Sequence, residues 1–543
     1  LQGGGGFYQA NNSEDLVLAF QAILRNVKDV NATFVSPGVA VNQLNRLTHR
    51  DELYFALFKP SEGTLWPGNL KKYRISGDQV LDKNGVNAVD SGSGFFSENS
   101  HSYWSTTQDG NDVRQGGAAS RLDLLRKVYF FNGTGSVMIP QNQVSESNAD
   151  ITDADLALDP VTDPAGTREV VLKWARGVDV RDDDGDGSTT DIRLQIGDPI
   201  HSQPVIVNYS ATDSAVFVAT NHGFLHSIDA ETGEENFAIM PKELMKNLNE
   251  FYRNSSSFNH IYGLDGDMVY REYGDKKYIY VGMRRGGNNY YAVDVTNKTD
   301  PKIVFTINGG EGDYLKMGQS WSRPTITKVK IGSIVKDVMI IGAGYDESQD
   351  AKVNRSEDSI GNAVYIIDAN TGELLWSASN AGADLTVTEM NYSIPARISV
   401  IDRDNDGLAD HMYVADMGGQ IFRFDIYNGK STSNLVKGGL LAQFGGDLPE
   451  NNRRFYYAPD IAEVSTADDH YFAVAIGSGL RAGPLNTTIE DSFFMVKDKG
   501  VFERDEFNNY VLPSLPFNIS SLYDATEHLL TSINDDVKAL QRS

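Results

Sequence analysis

From about Glu52 onward, short apolar stretches alternate with turns rich in glycine, asparagine and aspartate. Their length and their content of valine, isoleucine, tyrosine and phenylalanine are typical of β-strands. These strands and turns form a longer unit that repeats along the chain. In each unit an apolar strand leads into a turn that contains glycine, and a second strand carries an aspartate. Copies of the unit, spaced as blades of a propeller are spaced, begin at Val216, Tyr280, Met339, Met412 and Phe472.

The unit that begins at Val216 shows how one copy is expected to fold. The strands VFVAT and FLHSIDA are predicted to form an antiparallel hairpin that turns at His222 and Gly223. Asp-x-x-Thr-Gly then closes the next turn, because the aspartate can accept backbone N–H groups and the glycine can adopt a positive φ. The pairs are Asp229 with Gly233, and Asp368 with Gly372. Such a unit cannot bury both faces alone, so the units are expected to stack radially.

This recurrence predicts an all-β fold, a modified β-propeller of about seven blades within a range of about six to eight. The propeller is placed at residues 51–504, with a long insertion at about 76–166 that is rich in glycine, serine, asparagine and aspartate. A β-sandwich array is the alternative, since regular strands and turns fit it as well. The repeated glycine turn and the Asp-x-x-Thr-Gly pattern favour the propeller.

A few segments have helical spacing instead. Ser13 is predicted to cap an amphipathic helix that extends to about Val27, within an N-terminal helix and linker at residues 1–50. One helix is predicted near residues 121–128 of the insertion, and another short helix in REVVLKWARGVDV, which begins at Arg168. Residues 505–543 are predicted to form a C-terminal tail with a short helix.

The segment DRDNDGLAD, which begins at Asp402, carries the clearest chemical signal in the sequence. Aspartates stand at positions one, three, five and nine, a glycine at position six permits a sharp turn, and position seven offers a backbone carbonyl. This spacing wraps oxygen ligands around Ca²⁺. Without a cation the crowded aspartates would repel one another, which weighs against a merely solvated acidic turn. The predicted calcium ligands are Asp402, Asp404, Asp406, Leu408 through its carbonyl, and Asp410.

The loop differs from an EF-hand. Tyr413 stands at position twelve, where an EF-hand has a bidentate glutamate, and the strands ARISVI and HMYVAD flank the loop in place of helices. We therefore predict a calcium loop on a β-hairpin at the edge of the propeller.

A second acidic segment, RDDDGDGSTTD, has the same spacing but lacks a carboxylate at position nine. It is a weaker candidate for the same chemistry, and an acidic loop without an ion is the alternative. Its candidate calcium ligands are Asp182, Asp184, Asp186, Ser188 and Asp191.

Composition narrows the range of functions. The 543 residues include 74 acidic and 48 basic side chains, which gives a formal net charge of -26. This charge argues against nucleic acid and anionic membrane surfaces as partners and suits a secreted protein that holds hard cations with carboxylates. The sequence has no cysteine, which excludes disulfides, thiolate zinc sites and cysteine nucleophiles. No apolar run reaches membrane-spanning length.

Signals for enzyme chemistry are weak. The histidines are scattered and form neither an HxH nor an HExxH pattern. The RRGG segment at residues 284–287 is interpreted as a hairpin turn whose arginines pair with acidic neighbours, rather than as an anion site. We therefore expect a protein that is not an enzyme.

Three long segments resemble the C-terminal domain of PilY-type proteins, which are type IV pilus tip adhesins and biogenesis factors. The segments are WARGVDVRDDDGDGSTTDIRLQIGDPIHSQPVIV, GMRRGGNNYYAVDVTN and DRDNDGLADHMYVADMGGQIFRFDI. The resemblance extends over roughly residues 12–500. It implies a modified propeller related to the quinoprotein dehydrogenase fold, at the pilus tip or the outer cell surface of a Gram-negative bacterium.

The resemblance also implies a function. Members of the family support pilus assembly, oppose retraction, and take part in surface attachment and twitching motility. Calcium in the propeller loop controls the balance of pilus extension and retraction, and the matching loop here is residues 402–410. The implied partners are minor pilins at the pilus tip and a host-cell or abiotic surface.

Two other functions are compatible with the same fold. A quinone-cofactor-dependent dehydrogenase would need a deep axial pocket with a calcium ion at the cofactor, and the vicinal disulfide often found above that cofactor is impossible without cysteine. A passive structural scaffold with a structural calcium ion is the other alternative.

Overall fold

The computed structural model describes residues 34–36, 51–92, 96–159, 167–255, 259–467 and 469–526. In chain order, the first strands are β1 (Phe34–Ser36), β2 (Glu52–Phe58), β3 (Pro67–Ser76), β4 (Gln79–Leu81), β5 (Val128–Phe131), β6 (Gly135–Ser136), β7 (Ile196–Gly197), β8 (Val205–Asn208) and β9 (Ser214–Ala219). The next strands are β10 (Leu225–Asp229), β11 (Glu235–Pro241), β12 (Met268–Tyr273), β13 (Lys276–Gly282), β14 (Tyr290–Asp294), β15 (Lys302–Ile307), β16 (Thr325–Ile331), β17 (Ile334–Gly342) and β18 (Ala363–Asp368). The last strands are β19 (Leu374–Ser379), β20 (Leu385–Thr386), β21 (Ser399–Ile401), β22 (His411–Ala415), β23 (Gln420–Ile426), β24 (Val436–Gln443), β25 (Asp460–Ser465), β26 (His470–Gly477) and β27 (Phe493–Asp498).

Helices are few and short in this part of the chain. The α-helices are α1 (Thr167–Ala175) and α2 (Leu248–Arg253). The 3-10 turns are Ala118–Arg121, Pro140–Asn142, Lys242–Asn247, Arg284–Gly286, Gly312–Tyr314, Glu347–Ala351, Thr432–Asn434, Pro449–Asn451, Gly500–Phe502 and Ile519–Ser521. No helix among the described residues is long and apolar enough to cross a membrane.

The described strands form six sheets, numbered here in chain order. Sheet 1 has the order β1-β2-β3-β4 with β7 also paired to β3, sheet 2 is β5-β11-β10-β9-β8, and sheet 3 is β12-β13-β14-β15-β6. Sheet 4 is β16-β17-β18-β19-β20, sheet 5 is β21-β22-β23-β24, and sheet 6 is β25-β26-β27. Pairing between strands that are adjacent in both chain and sheet is antiparallel, as in propeller blades, apart from the short parallel pair β19 and β20.

The sheets pack face to face in chain order, because successive side chains on a strand point to opposite faces. In β9, Val216 packs with residues of sheet 1, whereas its neighbour Phe217 belongs to the cluster shared with sheet 3. In β22, Met412 packs with sheet 4 and Tyr413 packs with sheet 6. Each inner sheet is therefore covered on both faces by its neighbours.

The two ends of this series also meet. Arg481, in the connection between β26 and β27, donates through Nη2 to Nε2 of His201, which follows β7, over 2.9 Å. The sixth sheet thus contacts the region between the first and second sheets. The all-β propeller prediction is confirmed, and the six sheets of the described residues lie within the predicted range of six to eight.

The predicted repeat unit folds as its sequence indicates. β9 and β10 pair antiparallel with Ala219 opposite Leu225, and Gly223 in the turn has φ of 92°. At the following turn, the Asp229 carboxylate accepts the N–H of Glu231 over 2.9 Å and that of Thr232 over 2.8 Å. The Asp-x-x-Thr-Gly turn therefore uses the backbone bonds that its aspartate predicts.

The insertion contributes strands to the propeller. β5 pairs with β11 of sheet 2, and β6 pairs with β15 of sheet 3. The helix predicted near residues 121–128 is wrong: only a 3-10 turn, Ala118–Arg121, precedes β5. The Asp123 side chain accepts the N–H of Leu125 over 2.7 Å, and this local bond replaces the backbone bond that a helix would need.

The other helix predictions have different outcomes. The helix predicted from Arg168 is confirmed as α1, which buries Val171, Leu172 and Trp174. The amphipathic helix predicted from Ser13 and the short helix of the C-terminal tail lie outside the described residues.

Candidate calcium site

Residues 402–410 connect β21 to β22, and these strands pair antiparallel with Ile401 opposite His411. The flanking strands predicted this hairpin, and no helix enters or leaves the loop. The returning limb is fixed by backbone bonds: Asp410 N–H donates to Ile401 O over 2.8 Å, and Ala409 N–H donates to Lys328 O of sheet 4 over 2.8 Å. The end of the loop is therefore held by two sheets of the propeller.

Carboxylates of the loop fold its backbone into tight turns. Oδ2 of Asp402 accepts the N–H of Gly407 over 2.9 Å, and Oδ1 of Asp406 accepts the N–H of Leu408 over 2.8 Å. Asn405 and Gly407 have φ of 58° and 88°, in the left-handed region. Glycine adopts this region at little cost, and asparagine tolerates it better than most residues. The glycine at position six is thus used as the spacing predicts.

Three predicted ligands converge. One carboxylate oxygen from each of Asp402, Asp404 and Asp410 lies within 4.8 Å of the others. Oδ1 of Asp402 is buried and has no hydrogen-bond partner. Burial raises the pKa of Asp410, and the N–H of Arg403, 2.8 Å from Asp410 Oδ2, opposes this rise. A hard cation among these oxygens would supply the missing partner and the positive charge.

Two other predicted ligands of this loop are placed differently. Asp406 is exposed and is not in the converging group, and its Oδ1 is engaged by the N–H of Leu408. Leu408, at position seven, is half-buried, and its backbone carbonyl is the group predicted as a ligand. The structure therefore brings together positions one, three and nine of the predicted set.

The second acidic loop has the same turn geometry. Oδ1 of Asp182 accepts the N–H of Gly187 over 3.0 Å, and Oδ1 of Asp186 accepts the N–H of Ser188 over 2.7 Å. Gly187 has φ of 87°, close to that of Gly407. Position six therefore donates to position one, and position seven to position five, in both loops.

The oxygens that converge in the second loop are those of positions one, three and five. Asp182, Asp184 and Asp186 each place a carboxylate oxygen within 4.8 Å of the others. The predicted ligands Ser188 and Asp191 are not in this group, although Oδ1 of Asp191 is buried without a hydrogen-bond partner. Asp191 O accepts the N–H of Asp179 over 2.9 Å, which closes the base of the loop.

A buried ionic network lies directly behind the hairpin. His411 Nδ1 is 2.7 Å from Oδ1 of Asp425, and Arg423 Nε is 3.1 Å from the same oxygen. Arg423 Nη1 donates to both carboxylate oxygens of Asp498 in sheet 6, over 2.7 and 2.9 Å, and Tyr413 OH donates to Oδ2 of Asp498 over 2.8 Å. The negative neighbours outweigh burial and raise the pKa of Arg423. Charged residues therefore join the β21–β22 hairpin to the last sheet.

The sequence patterns did not identify this network. Arg423 and Asp425 lie two residues apart on β23, so they share a face of the strand, and that is the signal available in the sequence. Asp498 is distant in sequence and is brought near only by the packing of sheets 5 and 6.

The RRGG segment pairs with acidic neighbours, as predicted. Arg285 makes a bidentate ion pair with Asp350, with distances of 2.7 and 3.0 Å, and Arg284 lies 3.4 Å from Oδ2 of Asp265. The Arg284 guanidinium also stacks on the Trp321 ring, 4.0 Å from its centroid. These arginines are occupied by protein groups.

Parts of the chain are similar to known proteins. Residues 204–450 match the model of the PilY1 beta-propeller domain. The chain is 25% identical over 461 residues to the type IV pilus biogenesis factor PilY1 of Pseudomonas aeruginosa, a match that covers 78% of this chain and 35% of that protein. A PilY1 homolog from Xylella fastidiosa is 26% identical over 283 residues, which cover 49% of this chain and 18% of the homolog. The chain thus spans about a third of the length of the Pseudomonas relative.

Two solved structures are also similar. The crystal structure of the Pseudomonas aeruginosa PilY1 C-terminal domain matches with a TM-score of 0.39 and 20% identity, over 53% of this chain and 58% of that chain. A quinohemoprotein alcohol dehydrogenase from Pseudomonas putida matches with a TM-score of 0.28 and 16% identity, over 49% of this chain and 42% of that chain.

Proposed function

The chain is a PilY1-type protein, and we propose that it is a calcium-binding propeller domain that acts in type IV pilus biogenesis. In this proposal it supports pilus assembly, regulates extension against retraction in twitching motility, and mediates adhesion to surfaces. Its role is not enzymatic. The curated relatives are named as type IV pilus biogenesis factors, which supports the pilus role.

The observation that carries the calcium proposal is the geometry of the hairpin loop. One carboxylate oxygen from each of Asp402, Asp404 and Asp410 lies within 4.8 Å of the others, and Oδ1 of Asp402 is buried without a hydrogen-bond partner. Leaving a buried polar atom unpaired costs free energy, and like charges at this separation repel. A calcium ion removes both costs, since it prefers oxygen ligands of this kind.

Calcium acts in this proposal by ordering the hairpin. An ion at a hundredfold excess over its Kd favours the bound state by about 2.7 kcal/mol. That amount shifts the population of an interface if the partner prefers the ordered loop. The partners in this proposal are minor pilins at the pilus tip and a host-cell or abiotic surface, at the outside of a Gram-negative cell.

Calcium titration by calorimetry tests the site. Asp402→Ala and Asp410→Ala are expected to weaken calcium binding without unfolding the domain, and to alter piliation or twitching when introduced into the bacterium. Asp275→Ala, in the exposed turn between β12 and β13, removes one negative charge elsewhere and is the control. Unchanged calcium binding in Asp402→Ala would exclude this loop as the site.

The same titration addresses the second loop and the scaffold alternative. If both loops bind, the stoichiometry is two ions per chain in the wild type and one in Asp184→Ala, because Asp184 belongs to the second converging group. Loss of the entire fold on calcium removal, measured by circular dichroism, would instead indicate a purely structural ion.

A further inference from the structure

The chain that follows β27 lies against the calcium hairpin. Residues 499–522, called the C-terminal strap here, contain the 3-10 turns Gly500–Phe502 and Ile519–Ser521 and no strand of a sheet. The first half, residues 499–511, contacts the hairpin and also sheets 5 and 6, whereas the second half, residues 512–522, contacts sheet 5.

Arg403, at position two of the calcium loop, makes the first contact with the strap. Its Nη1 donates to Val501 O over 3.4 Å. Its guanidinium carbon lies 5.7 Å from the ring centroid of Phe502 and 5.5 Å from that of Tyr510, within the range of cation–π attraction. The Arg403 side chain therefore connects the loop to the strap.

The second contact involves the residue that follows the loop. The His411 ring lies 4.6 Å from the Tyr510 ring in an edge-to-face arrangement. Tyr510 is held on its other sides, because the Arg504 guanidinium is 3.3 Å from its centroid and its N–H donates to Tyr427 OH over 2.9 Å. The Tyr510 ring therefore contacts Arg403 and His411, which lie at the two ends of the calcium loop.

The backbone links these contacts to a candidate calcium ligand. The N–H of Arg403 donates to Oδ2 of Asp410 over 2.8 Å, and His411 is the residue after Asp410. Any change in the position of the Asp410 carboxylate is therefore transmitted to the backbone of Arg403 and His411. These are the two residues of the hairpin that contact Tyr510.

The second half of the strap is anchored independently of the loop. Phe517 pairs with β24, where its N–H donates to Leu441 O over 2.9 Å and its carbonyl accepts the N–H of Gln443 over 2.8 Å. The end of the first half is also held by sheet 5, because Arg423 Nη2 of β23 donates to Val511 O over 2.6 Å and Lys437 Nζ of β24 donates to Oδ1 of Asn509 over 2.7 Å.

We propose that calcium in the loop docks the first half of the strap and that loss of the ion releases it from the loop. This inference rests on the proposed calcium function, since it names the element through which that site acts. With the ion bound, Asp410 is held and Arg403 and His411 are positioned to contact Tyr510. With the ion absent, the carboxylates repel one another, the loop becomes less ordered, and residues 499–511 lose their contacts with the loop, while their contacts with sheets 5 and 6 and the pairing of residues 512–522 with β24 remain.

Hydrogen exchange detected by mass spectrometry, on the whole chain with calcium and with chelator, tests this inference. Amides of residues 499–511 are expected to exchange more slowly with calcium, by up to about a hundredfold at a hundredfold excess of calcium over its Kd. Amides of residues 512–522 are expected to be unaffected. A strap whose exchange does not respond to calcium, in a protein that calorimetry shows to bind calcium, would overturn the inference and leave the calcium site intact.

Single substitutions distinguish calcium binding from the coupling between the loop and the strap. Arg403→Ala removes the side chain but keeps the N–H that bonds Asp410, so calcium should still bind while the exchange of residues 499–511 loses its calcium dependence. Tyr510→Leu tests the same contact from the strap and should have the same effect. Lys437→Ala removes a contact between the first half of the strap and β24 that does not involve the loop, so it is the control and should retain the calcium response. Calcium dependence that persists in both Arg403→Ala and Tyr510→Leu would refute the coupling, and absence of calcium binding in the wild type would refute both proposals.

Discussion

Replacing Asp402 by asparagine is expected to have opposite effects with and without calcium. Oδ2 of Asp402 accepts the N–H of Gly407, and an amide oxygen can accept the same bond, so the turn is retained. The substitution removes one of three negative charges that lie within 4.8 Å of one another. Without calcium this should stabilise the protein, whereas with calcium it removes a charged ligand and should destabilise it relative to the wild type.

The magnitude follows from the separation of the charges. At 4.8 Å two unit charges repel by about 0.9 kcal/mol in bulk water and by about 3.5 kcal/mol at an effective dielectric constant of 20. Asp404 is exposed, which places its repulsion near the lower value. Neutralising Asp402 removes two of the three pairwise repulsions, so the calcium-free variant should gain about 2 kcal/mol. The wild type should gain about 2.7 kcal/mol from a hundredfold excess of calcium, and the variant should lose most of that gain. With calcium the variant should therefore be less stable than the wild type by at most about 0.7 kcal/mol.

Urea unfolding with calcium and with chelator measures both effects. The difference between the two conditions should be large in the wild type and small in Asp402→Asn, and the calcium-free variant should unfold at a higher urea concentration than the calcium-free wild type. Asp275→Asn controls for the loss of one negative charge on a protein of net charge -26. A calcium-free Asp402→Asn that is less stable than the wild type would show that repulsion among these carboxylates is not the dominant effect.

Two further predictions concern buried charges. Asp498→Ala removes one of the two carboxylates that pair with the buried Arg423 guanidinium and leaves Asp425 as the other. The free energy of unfolding in urea should therefore fall by about 3 kcal/mol, the lower end of the range for breaking a buried pair. A loss below about 1 kcal/mol, typical of exposed pairs, would contradict the importance of the network. Burial alone would raise the pKa of Glu235, but Arg126 and His226 outweigh it and lower the pKa from 4.5 to about 2. The stabilisation from this depressed pKa, roughly 3 kcal/mol, should be present above pH 4.5 and be lost as the pH falls toward 2. The urea midpoint should fall between pH 4.5 and pH 2 in the wild type and should not show this fall in Glu235→Gln. Equal dependence of the midpoint on pH in the two proteins would refute the depressed pKa of Glu235.

The candidate calcium loop could be proposed from the sequence because its predicted ligands come from nine consecutive residues. Which of their oxygens converge differs between the two acidic loops of the same spacing, so spacing alone does not determine it. The hairpin was predictable because the flanking strands β21 and β22 are adjacent in sequence. The position of the Asp406 carboxylate could not be predicted. It accepts the N–H of Leu408, and sequence spacing does not show which oxygens are used by hydrogen bonds within the turn.

Features that depend on distant segments were missed. β5 and β6 lie in a segment that resembles an irregular insertion, and they become strands because β11 and β15 offer unpaired edges. The helix predicted at residues 121–128 was wrong because the local bond from Asp123 competes with helix formation. Asp498 occupies the aspartate position of the last repeat unit, but its pairing with Arg423 arises only when β27 packs beside β23.

The sequence by itself determined the strand-and-turn units, the all-β class and the two acidic loops, because each depends on residues within about one hairpin of one another. Tertiary structure decided which sheets meet, which strands the insertion supplies, and which charged groups become buried beside the candidate calcium loop. It also decided that Arg403 and His411 contact Tyr510. Contacts between segments a hundred residues apart depend on the packing of whole sheets, and no pattern within one segment records the neighbour against which it will pack.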